Sequence, residues 1–379
     1  MKSGLLEKIV ESYYNIAWRI RRFLSSGGDI IRKLNKHQKD WLDKHNIKIQ
    51  RQISQKKRRK NSKKHGNSNL QITYNNKNSN FQHVFNFDTP TVFSIEKNPE
   101  ETIQFYNKIL LRRNEHKFGA HFYINSEAVT EVTVDALMFL IAIITDTKNN
   151  IIYKYTFEGN FPIATNAKRV YIESGFMAFV HSNSGSKIYP QTNNIQILKG
   201  KTVDSPIVGK VCEFVQENCG FSRIDTIPLY NILVELMGNT KQHAYSEKTY
   251  EVANYWYLFA EKKENKVNFV FLDTGLGIPT TVQKKFGERI PFINKDSDFI
   301  KSALEGDFRT QTRSRNRGRG LPQISECFRS GILQNIFVYA GKGCCILNNE
   351  NQTHYETFEF KNKIFGTLFC WQITKCKEE

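Results

Sequence analysis

The chain has 379 residues, of which 39% are hydrophobic and 24% charged, and it carries a formal net charge of +18. That is enough apolar material for two globular domains and an extension. Seven scattered cysteines without a metal-like C-x-x-C pair suit reduced thiols in the cytoplasm. The longest uninterrupted apolar run, Ala136 to Ile144, is too short to span a bilayer, so neither a transmembrane helix nor a signal peptide is expected.

The charge is local. Residues 1–66 hold 19 Lys and Arg against 5 acidic residues, a net of +14. Leu5, Leu6, Ile9, Val10, Tyr13, Ile16, Ala17 and Ile20 recur at helical spacing, which predicts an amphipathic helix over 4–24. Arg19, Arg21 and Arg22 interrupt its apolar character, and Ser25 to Gly28 break it. A second helix, poor in apolar residues, is predicted from about Asp29 to Ile53. The cluster Lys56 to Lys60 with Lys63 and Lys64 then enters an Asn/Ser-rich stretch whose composition predicts a disordered linker over 61–84. Such a cluster attracts phosphate backbones, so nucleic acid is a candidate partner of residues 1–66; anionic lipid or a solvated tail are the alternatives. The first helix also offers a face for pairing with a second copy, which makes a homodimer a further expectation.

Upstream of residue 200 the pattern alternates. Residues 118–125 read as a strand, 132–144 as a buried helix, 150–157 as a strand, and 164–174 as a helix ending at Gly175, which predicts an α/β domain. Asp135 at the start of the buried helix reads as its cap, or alternatively as a mimic of a phosphorylated residue, with Thr133 a remote acceptor candidate.

Three stretches after residue 200 carry chemistry. Glu235, Asn239 and His243 are spaced i, i+4, i+8 and fall along one stripe of a helix that Pro228 suits at its start. The stripe presents a carboxylate, an amide oxygen and an imidazole. A single oxygen from Asn239 plus phosphate oxygens would serve Mg²⁺, and Glu235 could orient or deprotonate an attacking water or hydroxyl. Next, the strand-like run 267–272 breaks at Asp273, followed by Gly275 and Gly277. There a carboxylate could accept from an adenine amino group while the glycines admit close backbone approach. Last, Arg317, Gly318, Arg319 and Gly320 precede a helix-like segment, where backbone N–H groups and positive charge suit phosphate.

These three boxes, closed by Gly366 and Thr367, resemble the GHKL ATPase superfamily over about residues 205–375. Within it, the Glu235, Asn239, His243 spacing is most similar to the anti-sigma-factor serine kinases. The resemblance implies ATP and Mg²⁺ as ligands, with Asn239 on the metal, Asp273 on adenine, Glu235 as the catalytic base and residues 281–317 as a mobile lid. That lid is rich in Lys and Arg, including Lys295, Lys301 and Arg309. Leu321-Pro322 departs from the family, in which a second Gly-Leu pair is common there. No P-loop is present. The order of elements upstream, with the phrase from Ile124 to Leu137, resembles a STAS domain over about 85–195, although the helix start, Val132 to Asp135, lacks the serine that antagonists of this kind carry there.

The expected architecture is therefore α/β (α+β): a basic helical extension over 1–60, the linker over 61–84, a STAS-like α/β domain over 85–200, and a Bergerat-type α/β sandwich ATPase domain over 201–379. Three functions stay open. One is an ATPase or serine/threonine kinase switch acting on a protein partner in a bacterial-type signalling or stress/defence module. Another is a non-catalytic ATP-sensing adaptor on nucleic acid. The third is a histidine kinase, for which His37 and His45 are the only acceptors in place and neither precedes an acidic residue.

Overall fold

A computed structural model describes residues 83–116, 120–145, 155–182, 193–242, 254–286, 295–307, 320–348 and 355–374. The expected N-terminal helices and most of the linker lie outside the described residues, as do His37, His45, His243 and Arg317 to Arg319. Contacts divide the chain into two units, 1–74 and 75–379, and every element below belongs to the second.

Three strands, β1 (His83–Asp88), β3 (Ala120–Asn125) and β5 (Tyr155–Gly159), pair in parallel in that order. Helices α1 (Pro99–Glu115) and α2 (Val134–Ile144) connect them, each preceded by one strand of a short parallel pair, β2 (Val92–Phe93) with β4 (Glu131–Val132). Pro99 opens α1, Glu100 and Glu101 lie in its first turn and Arg112 and Arg113 in its last, which suits the helix dipole at both ends. Because parallel strands taken in sequence connect by right-handed crossovers, both helices fall on one face of this sheet. Phe85, Phe122 and Phe157 stack side by side across it, at centroid distances of 5.6 and 5.0 Å. Helix α2 is buried from Asp135 to Ile143, and a helix apolar nearly all round must lie between two layers. Helices α3 (Thr165–Glu173) and α4 (Phe176–Ser182) complete the region.

Asp135 neither caps α2 nor faces solvent. Thr133 is the N-cap and forms no side-chain cap bond; Asp135 is 3% exposed and accepts from the amides of Ile95 (3.1 Å) and Glu96 (3.3 Å), with the Thr133 hydroxyl donating to its other oxygen. The carboxylate thus ties the loop after β2 to the helix start. Burial raises its pKa above the usual carboxylate value, and these hydrogen bonds work against that rise.

The second sheet is antiparallel. It comprises β6 (Asn194–Gly200), β7 (Trp256–Lys263), β8 (Lys266–Asp273), β9 (Leu333–Leu347) and β10 (Tyr355–Thr374), in spatial order β6-β7-β8-β10-β9. Both of its faces are covered. On β8, Val267, Phe269 and Phe271 enter one core, and Val270 and Leu272 pack on the other side, as the period of two requires. The first core belongs to α5 (Ser205–Cys219), α6 (Ile227–Gln242), α7 (Ile278–Phe286), α8 (Asp296–Glu305) and α9 (Gly320–Arg329). The second is shared with α1, α2 and α4, through Leu137, Ile141, Phe179 and their neighbours. Four layers result: small sheet, helices, large sheet, helices.

Two features differ from the sequence reading. Strand β6, grouped with the upstream region by the division at 200, pairs with β7 and forms an edge of the large sheet. Within the expected lid, α8 is a core helix: Phe299, Ile300 and Leu304 are at most 2% exposed, and its first turn is fixed where Asp296 accepts from the Lys342 amide (2.8 Å) and Glu359 accepts from the Ser297 amide (2.6 Å). Lys301 on this helix lies over the Tyr355 ring. Among the described residues all six cysteines are free, and no helix is long and apolar enough to cross a membrane.

Since Phe299 sits in this core, Phe299→Ala is expected to lower unfolding stability by about 3–5 kcal/mol, read from urea denaturation, whereas removal of a residue from a loosely packed lid would change it little.

Candidate functional site

Strand β8 ends at Asp273, and the chain turns there because Thr274 is pinned to Tyr255. The Thr274 amide donates to the Tyr255 carbonyl (2.9 Å), and its hydroxyl accepts from the Tyr255 amide (2.8 Å) and lies 3.1 Å from the same carbonyl. The Gly275 amide turns back and donates to Asp273 Oδ1 at 2.9 Å. In the ladder Thr367 of β10 stands opposite Asp273 on one side and Trp256 of β7 on the other.

Backbone crowding explains the glycines. Gly366 has φ +74°, and a Cβ there would meet the Asp273 carbonyl oxygen at 2.0 Å; Gly277, with φ +79°, would place one 2.7 Å from the Gly366 carbonyl oxygen. Three backbone segments therefore converge where no side chain fits. Helix α7 begins at the next residue, Ile278.

A cavity of about 80 Å³ lies above this junction, room for several water-sized groups. Phe271 and Phe369 form its sheet side, each two residues from Asp273 or Thr367 and therefore on the same face. Leu236 of α6, Ile278 and Val282 of α7, and Leu321 of α9 supply the apolar walls. The polar groups are few: Asn239, Asp273, Thr281 and Thr367. An apolar slot with a handful of convergent polar groups is the usual form of a small-molecule site.

Asp273 is the electrostatic focus. Burial pushes its carboxyl up to about 6, while hydrogen bonds from the Gly275 amide and the Thr240 side chain hold the rise back. Thr240, 1% exposed, brings α6 against the end of β8 and so sets the place of Asn239 beside it.

Of the residues expected from sequence, Asn239, Asp273, Gly277 and Thr367 line one cavity. Gly275 serves the turn through its amide, and Gly320 is the first residue of α9. Glu235 is half-buried on α6, one turn before Asn239, and is not among the residues that line the cavity. His243, Arg317, Gly318 and Arg319 lie outside the described residues. Among the described residues no group of three His, Cys, Asp or Glu could hold a metal; the side-chain oxygens at the cavity are those of Asn239, Asp273, Thr281 and Thr367. The sequence reading missed Thr240 and Thr274, whose hydroxyls fix the turn, and the apolar lining. Phe271 and Phe369 were legible by period two from the polar residues beside them.

No model of a known protein family matches the chain, and no curated protein does.

Gly366→Ala is expected to cost at least about 2 kcal/mol of stability, from left-handed backbone strain together with the clash at Asp273, as measured by urea denaturation. Gly209→Ala, where a Cβ meets nothing within 4 Å, serves as the control.

Proposed function

We propose that the chain is an ATP- and Mg²⁺-dependent regulatory switch of the GHKL type, an ATPase or serine/threonine kinase, whose nucleotide base enters the cavity above Asp273. The observation that carries this reading is one partly buried carboxylate on the wall of a small, mostly apolar cavity, beside Thr367 and Asn239. A carboxylate there accepts from an exocyclic amino group, and Phe271, Leu236 and Ile278 cover the faces of a planar base. The five-stranded antiparallel sheet, with α5 to α9 on the side that holds the cavity, supports a Bergerat-type sandwich.

Bound Mg²⁺ would supply charge neutralisation on the phosphates. Asn239 would hold it with its amide oxygen, the remaining positions going to phosphate and water. Glu235, a turn before Asn239, would orient or deprotonate the attacking water or protein hydroxyl. Arg317 and Arg319, ahead of α9, would meet the phosphates. The upstream layer is read as STAS-like, the basic residues 1–66 as a nucleic-acid contact and a cytoplasmic location as fitting both. The non-catalytic sensor is the second reading, favoured by the position of Glu235 outside the cavity lining.

Mg-ATP turnover by the purified protein, following free phosphate and labelled protein together, separates these. Asn239→Ala is expected to abolish Mg-ATP binding, and Glu235→Ala to keep binding and lose turnover at least about 100-fold. Unchanged affinity in Asn239→Ala would remove the site assignment; binding without either product in the parent would favour the sensor.

The ionised carboxylate is the stronger acceptor for a base amino group, because the protonated acid loses the charge and adds a donor of its own. With its pKa near 6, affinity for adenosine, which lacks titrating phosphates, is expected to fall as pH drops through about 6 and to level off above about 7. Asp273→Asn should bind weakly with no such midpoint. Calorimetry between pH 5 and 8 checks both.

A further inference from the structure

Strand β10 is twenty residues long and irregular just before the cavity. Its register against β9 shifts between Glu359 and Ile364 and again between Ile364 and Thr367. A strand that slips twice within eight residues gives up ladder hydrogen bonds there, so something other than the sheet must hold it. The upstream layer does. Glu100 Oε1 of α1 accepts from the Lys361 amide at 2.9 Å, and Asn107 Nδ2 of α1 donates to the Lys363 carbonyl at 3.2 Å. Ile364, 3% exposed, enters the core of α1 and α2, and Phe365 meets the Phe139 ring of α2 edge-on at 5.1 Å. The next two residues are Gly366, against the Asp273 carbonyl, and Thr367, in the cavity wall.

We propose that α1 and α2 position Thr367 through residues 361–365, making the upstream layer the regulatory input of the cavity; as regulation of nucleotide binding, this rests on the reading of the cavity given above. Glu100, Asn107 and Phe139 are positioning residues: none touches the cavity, and each holds a residue within six positions of Thr367. A partner that draws α1 away from β10 releases the irregular stretch up to Gly366 and loosens Thr367, the first β10 residue paired with β8, in the wall, whereas the regular β7–β8 pairing under Asp273 stays in place. The input is therefore read at one edge of the site and the carboxylate is spared.

The test uses the full chain carrying Glu100→Ala with Asn107→Ala, two hydrogen bonds at the surface whose loss leaves the apolar core whole. Amide hydrogen exchange of the nucleotide-free protein is expected to quicken about fivefold or more over 364–368 and to stay unchanged over 258–260 of β7; Phe139→Leu should move the same amides. Unchanged rates at 364–368, or equal acceleration throughout the sheet, would overturn the proposal. Mg-ATP affinity, by calorimetry, is expected to drop about fivefold in the double variant and to show no such drop when Thr367→Ala is already present. An equal loss in both backgrounds would mean that α1 acts by general destabilisation and not through Thr367. A parent that fails to bind Mg-ATP would sink the nucleotide reading, and the exchange measurement would still decide whether α1 and α2 hold Thr367.

Discussion

Strand β8 has no face left for water. Val267, Phe269 and Phe271 pack under one helical layer, Val270 and Leu272 against another, and Phe269 stacks on Trp371 at 5.1 Å with the rings nearly parallel. A strand confined on both faces and paired on both edges fixes the point at which the chain emerges, and that point is Asp273. The turn that follows is held by Thr274 to Tyr255, so the carboxylate is presented from a rigid support and not from a free loop. Preorganisation of this kind lets one acceptor discriminate among ligands, because the group cannot follow a poor partner.

The same confinement accounts for the electrostatics. Asp273 is deprived of water by the packing that fixes it, and two donors, the Gly275 amide and the Thr240 side chain, compensate only in part. A ligand donor would complete that compensation, so the cavity favours a ligand with an amino group directed at the end of β8 over a purely apolar one.

Much of this was legible in the sequence because the signals were local. The break from an apolar run into Asp273, Gly275 and Gly277 gave the strand end and its turn; Asn239 was placed by helical spacing; the apolar run 132–144 read as a buried helix, which the structure forms over Val134–Ile144. What was not legible depended on distant partners. Helix α8 was read as lid because the GHKL resemblance places a lid over 281–317, although Phe299, Ile300, Ala303 and Leu304 repeat at helical spacing and mark a buried face. Strand β6 carries an apolar pattern that fits either region, and only its pairing with β7 assigns it. Asp135 looked like a cap from its position, and the amides it serves are some forty residues earlier. The double slip of β10 has no local sign beyond the polar Lys361, Asn362 and Lys363.

The shared core between the two sheets bears on how the molecule can be taken apart. Leu137 and Ile141 of α2 pack in one cluster with Tyr257, Leu272 and Leu368 of the large sheet. Residues on either side of position 200 thus share one core within a single compact unit. Expressing 85–200 or 201–379 alone would uncover the apolar side of the remaining piece and favour aggregation. A change of size at Leu272 or Leu368 is therefore felt in the packing of α2, on the far side of position 200 in sequence.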